Sequence, residues 1–371
     1  MASVTGLEGV IAAYTEIGLV DGELGHLVYR GYPAQELAVS KSFEETAFLL
    51  WHGRFPQEDE LTALKKRMSH YRNLPDYICR ILELLPASIP VMSALQTAVA
   101  ALAEAEGSAW PPSLAQAERL TAMLPTMIAY RARRIAGLPA LQPDANLDHA
   151  ANYLYMLNGR KPERSHAKAL EAYLILGMEH GMNASTFASR VIVSTQSDMC
   201  AAVSGAIGAM KGPLHGGAPY EVIAMLESIG SKSNAEPWMR NVLDNGGRLM
   251  GFGHRIYKTK DPRAQALRAV TMELTGDDPS FDLAIYVEDT AIRLLEEYKP
   301  GRRLFTNVEF YAAAIMRAIN LSPDLFTPTF TAGRTVGWTA HLLEQAAINR
   351  IFRPESIYIG TMPSMLDNDL N

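Results

Sequence analysis

The sequence predicts a nearly all-α protein: a large helical domain, a small helical domain inserted into it, and a short β hairpin or arm near the N-terminus. Three observations carry this. Beyond Pro33, apolar residues recur at helical spacing almost throughout, and strand-like alternation is scarce. Stretch after stretch opens on a capping residue and closes on glycine. The 371 residues are long for one domain and comfortable for a larger and a smaller core. The expected division is 1–216 for the first part of the large domain, 217–328 for the small domain, and 329–371 for the return to the large one.

The elements follow in order. "GVIAAYTEIGLVDGELGHLVYRGYP" sets β-branched and aromatic residues around Asp21-Gly22, a hairpin pattern. "SFEETAFLLWHG" places Ser42 as N-cap and Glu45 three residues on, a capping-box spacing, and stops at Gly53. "PERSHAKALEAYLILGMEHG" aligns Ala167, Leu170, Leu174 and Gly177 on one stripe, with His180 in the last turn. "STFASRVIVSTQSDMCAAVSGAIGAMKG" reads as a long helical stretch broken once. Its small-residue tail suits close helix packing, within a subunit or between subunits. From Ala218 the helices become shorter and more charged. In "DPRAQALRAVTMELTG", Asp261 is the expected N-cap and Pro262 the first helical residue. "TNVEFYAAAIMRAIN" is apolar again, and the proline-bearing "SPDLFTPTFTAGR" reads as a connection back into the larger body.

The net charge of −6 argues against a nucleic-acid-binding protein, so any cationic grip on a ligand must be local. Cys79 and Cys200 lie in no metal-spaced array, which suits a reducing cytoplasm and points to no metal site. The start carries no secretory pattern, and no apolar run is long enough to span a bilayer.

Five groups of residues could carry chemistry. His215, in "KGPLHGGAPYEV", is followed by two glycines that leave a ring face open. A helix begins just beyond, and a neutral imidazole there would donate well to a developing oxyanion. A plain loop histidine is the alternative. His254, in "GFGHRIYKTKDPRA", has bare glycine backbone on one side and Arg255, Lys258, Lys260 and Arg263 on the other. That suits a flat ligand bearing phosphates or carboxylates, or else a solvated basic turn. His180 stands at a helix end, where it could simply meet helix carbonyls. Glu309 is an acid inside an apolar helical surround, so it is either paired or functional, and desolvation would raise its pKa toward a useful base. Arg334, read as lying before a helix, and Arg353 in "IFRPES" would suit a small dicarboxylate if they converge with the histidines. His52, His70, His149 and His341 have no special local setting.

Together these motifs resemble the citrate synthase family, including the 2-methylcitrate synthases. The likeness runs through "GLEGVIAAYTEIGLVDGELGHLVYRGYPAQELA", "EHGMNASTFASRV", "GPLHGGAPYEV", "GFGHRIYKTKDPRA", "TNVEFYAA" and "GRTVGW…FRPES", in the family's order. It implies a homodimer whose small domain closes over oxaloacetate and acetyl-CoA. They would condense and the thioester would be hydrolysed to citrate and CoA, with no metal and no permanently bound cofactor. By motif, His215 would stabilise the enol or enolate of acetyl-CoA, and His254 would polarise the oxaloacetate ketone. His180, Arg263, Arg334 and Arg353 would hold oxaloacetate, with Arg353 reaching in from the other subunit. Arg72 is a further substrate-contact candidate. Arg248, Leu249, Met250, Gly251, Phe252 and Gly253 would lie along the CoA adenine, with Lys258 and Arg302 near its phosphates. The family mostly carries aspartate as the base that takes the methyl proton, where this chain has Glu309. The close alternative is a 2-methylcitrate synthase using propionyl-CoA. A non-catalytic CoA-binding or regulatory member is the alternative of a different class.

Overall fold

A computed structural model describes residues 6, 7, 9–103, 110–216, 220–253, 257, 259–274, 279–302 and 304–361. His254 and Lys258 lie outside these residues. Among them stand sixteen α-helices and one antiparallel sheet of three short strands, Gly18–Asp21, His26–Tyr29 and Tyr32–Pro33. The all-α expectation with an N-terminal hairpin is met. Asp21 makes the first turn, its Oδ1 accepting the amides of Glu23 at 3.0 Å and Leu24 at 2.9 Å.

The helix Phe43–His52 opens on the expected capping box between Ser42 and Glu45 and ends on Gly53 in the left-handed region. The broken helical stretch resolves into Ala184–Ser194 and Met199–Met210, which pack on each other. Their close approach spends small residues inside the chain: a Cβ on Gly205 would lie 2.1 Å from Ile192 Cδ1. The helices Tyr220–Ile229, Lys232–Asp244, Pro279–Tyr298 and Val308–Ala318 pack chiefly among themselves and with Pro262–Glu273. Pro262–Glu273 packs equally on Ala34–Ser40 and Arg164–Gly177, and Val308–Ala318 also meets Arg164–Gly177.

Two local readings are corrected. His180 lies just beyond the end of helix Arg164–Gly177 rather than in its last turn. "SPDLFTPTFTAGR" is not a connection. After a short 3-10 turn at Pro323–Leu325 it forms the first half of a 22-residue helix, Phe326–Ala347, so Arg334 lies within that helix. Pro328 sits in the first turn, where a missing N–H breaks no helical hydrogen bond.

Phe326–Ala347 organises the large body. It touches Phe43–His52, Leu114–Ile135, Arg164–Gly177, Ala184–Ser194 and Met199–Met210. Gly333 and Gly337 bring it against Arg164–Gly177 and the turn that follows. Cβ atoms there would lie 2.8 Å from the carbonyl oxygen of Leu174 and 2.1 Å from that of Met178. This approach sets Arg334 beside the His180 turn. Gly337→Ala should therefore cost about 1–3 kcal/mol through overpacking, read as a lower melting temperature and a raised KM for whatever substrate that turn binds. No helix among the described residues is long and apolar enough to cross a membrane.

Candidate active site

His215 sits in a tight turn that follows Met199–Met210. Its amide and that of Gly216 both donate to the Gly212 carbonyl at 3.0 Å. Gly216 must lack a side chain, since a Cβ would fall 2.0 Å from the Met210 carbonyl oxygen. Thr327 Oγ1 donates to the Gly216 carbonyl at 2.7 Å, tying the turn to the central helix. The imidazole Nε2 lies 2.7 Å from Ser185 Oγ, which also receives Trp338 Nε1–H at 3.0 Å and stands 2.8 Å from Asn183 Oδ1. Burial, assisted by the positive charge of Arg334, pushes the His215 pKa down to about 4, so the ring is neutral at physiological pH.

Arg334 is 2 % exposed, donates from Nε to the Gly177 carbonyl at 2.6 Å, and lies over the Phe330 ring. Burial and the nearby Arg263 disfavour its charge, while Glu179 supports it. Arg263 is held by Asp261, the N-cap of its own helix, with nitrogen–oxygen distances of 3.1 and 3.0 Å. Its guanidinium lies over the Tyr257 ring, and the Tyr257 hydroxyl is 3.1 Å from His180 Nε2. Asp261 is the counter-ion of Arg263 and Glu179 supports the charge of Arg334, and the two guanidinium groups would suit the two carboxylates of a small dicarboxylate.

Glu309 stands in the first turn of Val308–Ala318, its amide capped by Asn307 Oδ1 at 3.0 Å. Solvent reaches its side chain, yet the surrounding protein strips enough water to raise its pKa. Arg263 pulls that pKa down, and Glu221 and Asp261 push it up. Electrostatic links thus run from His215 to Arg334, from Arg334 to Arg263, and from Arg263 to Glu309.

The loop 248–253 is zipped to the segment just before Glu309. Gly253 N–H donates to Phe305 O at 2.7 Å, Asn307 N–H to Gly251 O at 2.9 Å, and Asn307 Nδ2 to Gly253 O at 2.9 Å. Gly251 and Gly253 have φ of 88° and 86°, and a Cβ on Gly251 would strike Phe310 at 2.8 Å. Leu249 and Phe252 are buried, Met250 is half-buried, and Arg248 and Arg302 are exposed. His254 and Lys258, outside the described residues, come next in sequence.

Two arginines stand apart. Arg72 is 3 % exposed and donates to the carbonyls of Asp144 at 3.3 Å and Leu147 at 2.7 Å. It anchors that loop, and the substrate-contact role considered for it finds no support in this placement. Arg353 is exposed beside Ala184–Ser194, where the Phe352 amide donates to Ser194 Oγ at 3.1 Å and the Phe352 ring meets Phe187. Sequence reading missed Ser185, Tyr257 and Trp338, because no spacing links them to residues so distant along the chain.

Fold and site together define a helical acid–base enzyme with a buried grip for a small anion. The family model for the citrate synthase C-terminal domain matches residues 6–355, and the chain belongs to the citrate synthase family. It is 41% identical to a citrate synthase of Synechocystis, over 96% of this chain and 90% of that protein. It is 39% identical to a 2-methylcitrate synthase of Mycobacterium tuberculosis over the same shares. Among solved structures it is similar to citrate synthase from Thermotoga maritima, at 38% identity and a TM-score of 0.80, covering 97% of this chain and 96% of that one. It is also similar to the Thermoplasma acidophilum citrate synthase in ternary complex with carboxymethyl coenzyme A and oxaloacetate. There the identity is 30%, the TM-score 0.83, and 97% of each chain is covered.

Proposed function

We infer that this enzyme condenses oxaloacetate with acetyl-CoA and hydrolyses the resulting thioester to citrate and CoA. The observation that carries the reading is the convergence of two buried, mutually repelling arginines with a neutral imidazole and a carboxylate of raised pKa. Arg263 and Arg334, with His180 beside them, bind the oxaloacetate carboxylates. Glu309 removes the methyl proton of the thioester while His215 donates a hydrogen bond to its carbonyl oxygen. A carboxylate alone is too weak a base for that carbon acid, so the oxygen must be stabilised as the proton leaves. The enol carbon attacks the oxaloacetate ketone, whose oxygen takes a proton from His254. Water then cleaves the citryl thioester. The loop 248–253 offers backbone polar groups to the CoA adenine, with Lys258 and Arg302 toward the phosphates. CoA is co-substrate and product, and the reading needs no metal or resident cofactor.

The exposed Arg353 suits a role across a homodimer interface, completing the partner's oxaloacetate site. Closure of the small domain about Gly216-Gly217 and Thr327-Pro328 would exclude water until the carbon–carbon bond exists. Both cysteines are free and lie in no metal-spaced array, in keeping with a cytoplasmic enzyme.

Thiol release measured with oxaloacetate and acetyl-CoA tests the reading, with propionyl-CoA run beside it. Acetyl-CoA should be the better substrate, with measurable overlap, since one methylene in an acyl pocket is worth only about 1–3 kcal/mol. A preference for propionyl-CoA would make this a 2-methylcitrate synthase. No thiol release with either would leave a CoA-binding family member without the activity.

A further inference from the structure

We propose that His341, with Arg190 behind it, is a positioning residue for the oxaloacetate grip: it holds the buried Glu179 carboxylate that clamps the His180 turn. The proposal rests on the reading that His180 and Arg334 bind oxaloacetate.

Glu179 is 0 % exposed. Strand Gly18–Asp21 closes over one side of it, where a Cβ on Gly18 would lie 2.9 Å from Glu179 Cγ. The central helix closes the other, where a Cβ on Gly337 would lie 2.9 Å from Glu179 Oε2. A carboxylate so enclosed needs partners for both oxygens. Oε1 accepts the amide of Gly181 at 2.5 Å, and Oε2 lies 3.0 Å from His341 Nε2. The side chain of Glu179 thereby bridges over His180 to the residue after it. The Tyr29 hydroxyl fixes the near end, lying 3.1 Å from the Glu179 carbonyl oxygen. His180 is left with its backbone pinned on both sides and its ring directed to Tyr257.

The hydrogen-bond roles of the two His341 ring nitrogens follow from its neighbours. Arg190 Nη1 lies 2.7 Å from His341 Nδ1, and a guanidinium can only donate. Nδ1 must therefore carry the lone pair, and Nε2 must carry the hydrogen given to Glu179. A hydrogen on Nδ1 would face the Arg190 donor, so the geometry selects one arrangement of the ring, with Nε2–H toward Glu179. Arg190 is itself buried. It spends Nη1 also on Glu344 Oε2 at 2.7 Å and Nε on Gln345 Oε1 at 3.1 Å. Glu344 Oε1 in turn receives the Thr15 hydroxyl at 3.1 Å and the Glu16 amide at 3.0 Å.

An alternating chain of acceptor and donor therefore runs from the N-terminal segment through Glu344, Arg190, His341 and Glu179 to the His180 turn. No member of it is assigned to the chemistry. So many buried ionisable groups stabilise a fold poorly against apolar packing, whereas they define position and charge well. Glu179 is also the anion that favours the charged form of Arg334. Both ends of its influence, the His180 turn and Arg334, belong to oxaloacetate and not to acetyl-CoA.

Three variants decide the matter: His341→Phe, His341→Gln and Glu344→Gln. Each is read by the separate KM values for oxaloacetate and acetyl-CoA and by hydrogen exchange at the Gly181 amide. Phenylalanine removes both hydrogen bonds. Glutamine keeps a donor for Glu179 and an acceptor for Arg190. His341→Phe should raise the oxaloacetate KM by about tenfold, equivalent to about 1.4 kcal/mol, leave the acetyl-CoA KM unchanged, and speed exchange at Gly181. His341→Gln should restore both readouts. Unchanged oxaloacetate KM and exchange in a folded His341→Phe protein would overturn the proposal. So would equal changes in both KM values, which mark general loosening. If that variant does not fold, Glu344→Gln carries the test, since it strips Arg190 of its counter-charge at the outer end. A selective rise in oxaloacetate KM with faster Gly181 exchange supports the relay, and parental values sink it. A parent protein without synthase activity would refute the functional reading, while exchange at Gly181 would still decide whether His341 holds the turn.

Discussion

Replacing Glu309 with glutamine should cut kcat by about 10²–10⁴-fold, the range for loss of a positioned general base. The oxaloacetate KM should change little, because the dicarboxylate grip is assigned to Arg263, Arg334 and His180. The amide is nearly isosteric, and the backbone cap from Asn307 to the Glu309 amide survives the change. What is lost is a group that can accept the proton. The sign of the pH dependence follows. Desolvation by the surrounding protein raises the Glu309 pKa above the ordinary glutamate range, against the pull of Arg263, although solvent reaches the side chain. A base works deprotonated, so kcat should fall as pH drops through that raised value, and the acid limb should vanish in the glutamine variant. Near-parental turnover in Glu309→Gln would remove this residue from the mechanism. Glu309→Asp separates reach from basicity. A shift of about 1 Å can cost roughly a hundredfold when reacting atoms must align. A gain with aspartate would show that the extra methylene holds the carboxylate off line, and a loss would show that the helix is seated for the longer side chain.

Local chemistry made much of the fold legible. The Ser42–Glu45 capping box, Gly53 at the helix end and Asp261 before Pro262 each act within a few residues, and each stands where the pattern puts it. The central helix was less legible because its case is tertiary. Pro328 and the threonines around it look like a connection when only local propensity is weighed. Burial on nearly every face and close glycine contacts, one with Arg164–Gly177 and one with the turn that follows it, decide otherwise. The site divides the same way. Glycine-flanked motifs marked His215, His180 and Arg334, and an acid in an apolar surround marked Glu309. The groups that hold them were silent: no local signal singles out Ser185 or Trp338, and His341 has no special local setting. Their meaning lies in partners up to 162 residues away, as for His341 and Glu179, and no periodicity records such a pairing. Arg72 shows the converse. The family resemblance suggests a substrate contact for this arginine, but its guanidinium donates to loop carbonyls.

His215→Ala should lower kcat by about 10²–10³-fold, the cost of removing one oxyanion donor, and Ser185→Ala should recover only part of parental turnover. The link between them is a count of hydrogens. Asn183 Oδ1 accepts the Thr186 amide at 3.1 Å, so it faces Ser185 as an acceptor. Trp338 Nε1 can only donate to Ser185 Oγ. The serine hydroxyl owns one proton and has two claimants, Asn183 Oδ1 at 2.8 Å and His215 Nε2 at 2.7 Å. If the proton points to Asn183, His215 must donate through Nε2, and its Nδ1 meets the substrate as a bare lone pair. If it points to His215, the neutral ring carries its hydrogen on Nδ1 and can donate it to the thioester oxygen. Only the second state stabilises an enolate, and Asn183 Oδ1 keeps the Thr186 amide while it lasts. Ser185→Ala removes the group that selects this tautomer, so kcat should drop while the imidazole stays in place. The His215 pKa, held near 4 by burial and Arg334, keeps the ring neutral throughout. Its protonation should therefore add no limb to the rate profile near neutral pH. Nitrogen chemical shifts of His215 in the parent, with an unreactive acyl-CoA analogue bound, report which ring nitrogen carries the hydrogen. A hydrogen found on Nε2 in that complex would exclude His215 as the donor to the thioester oxygen.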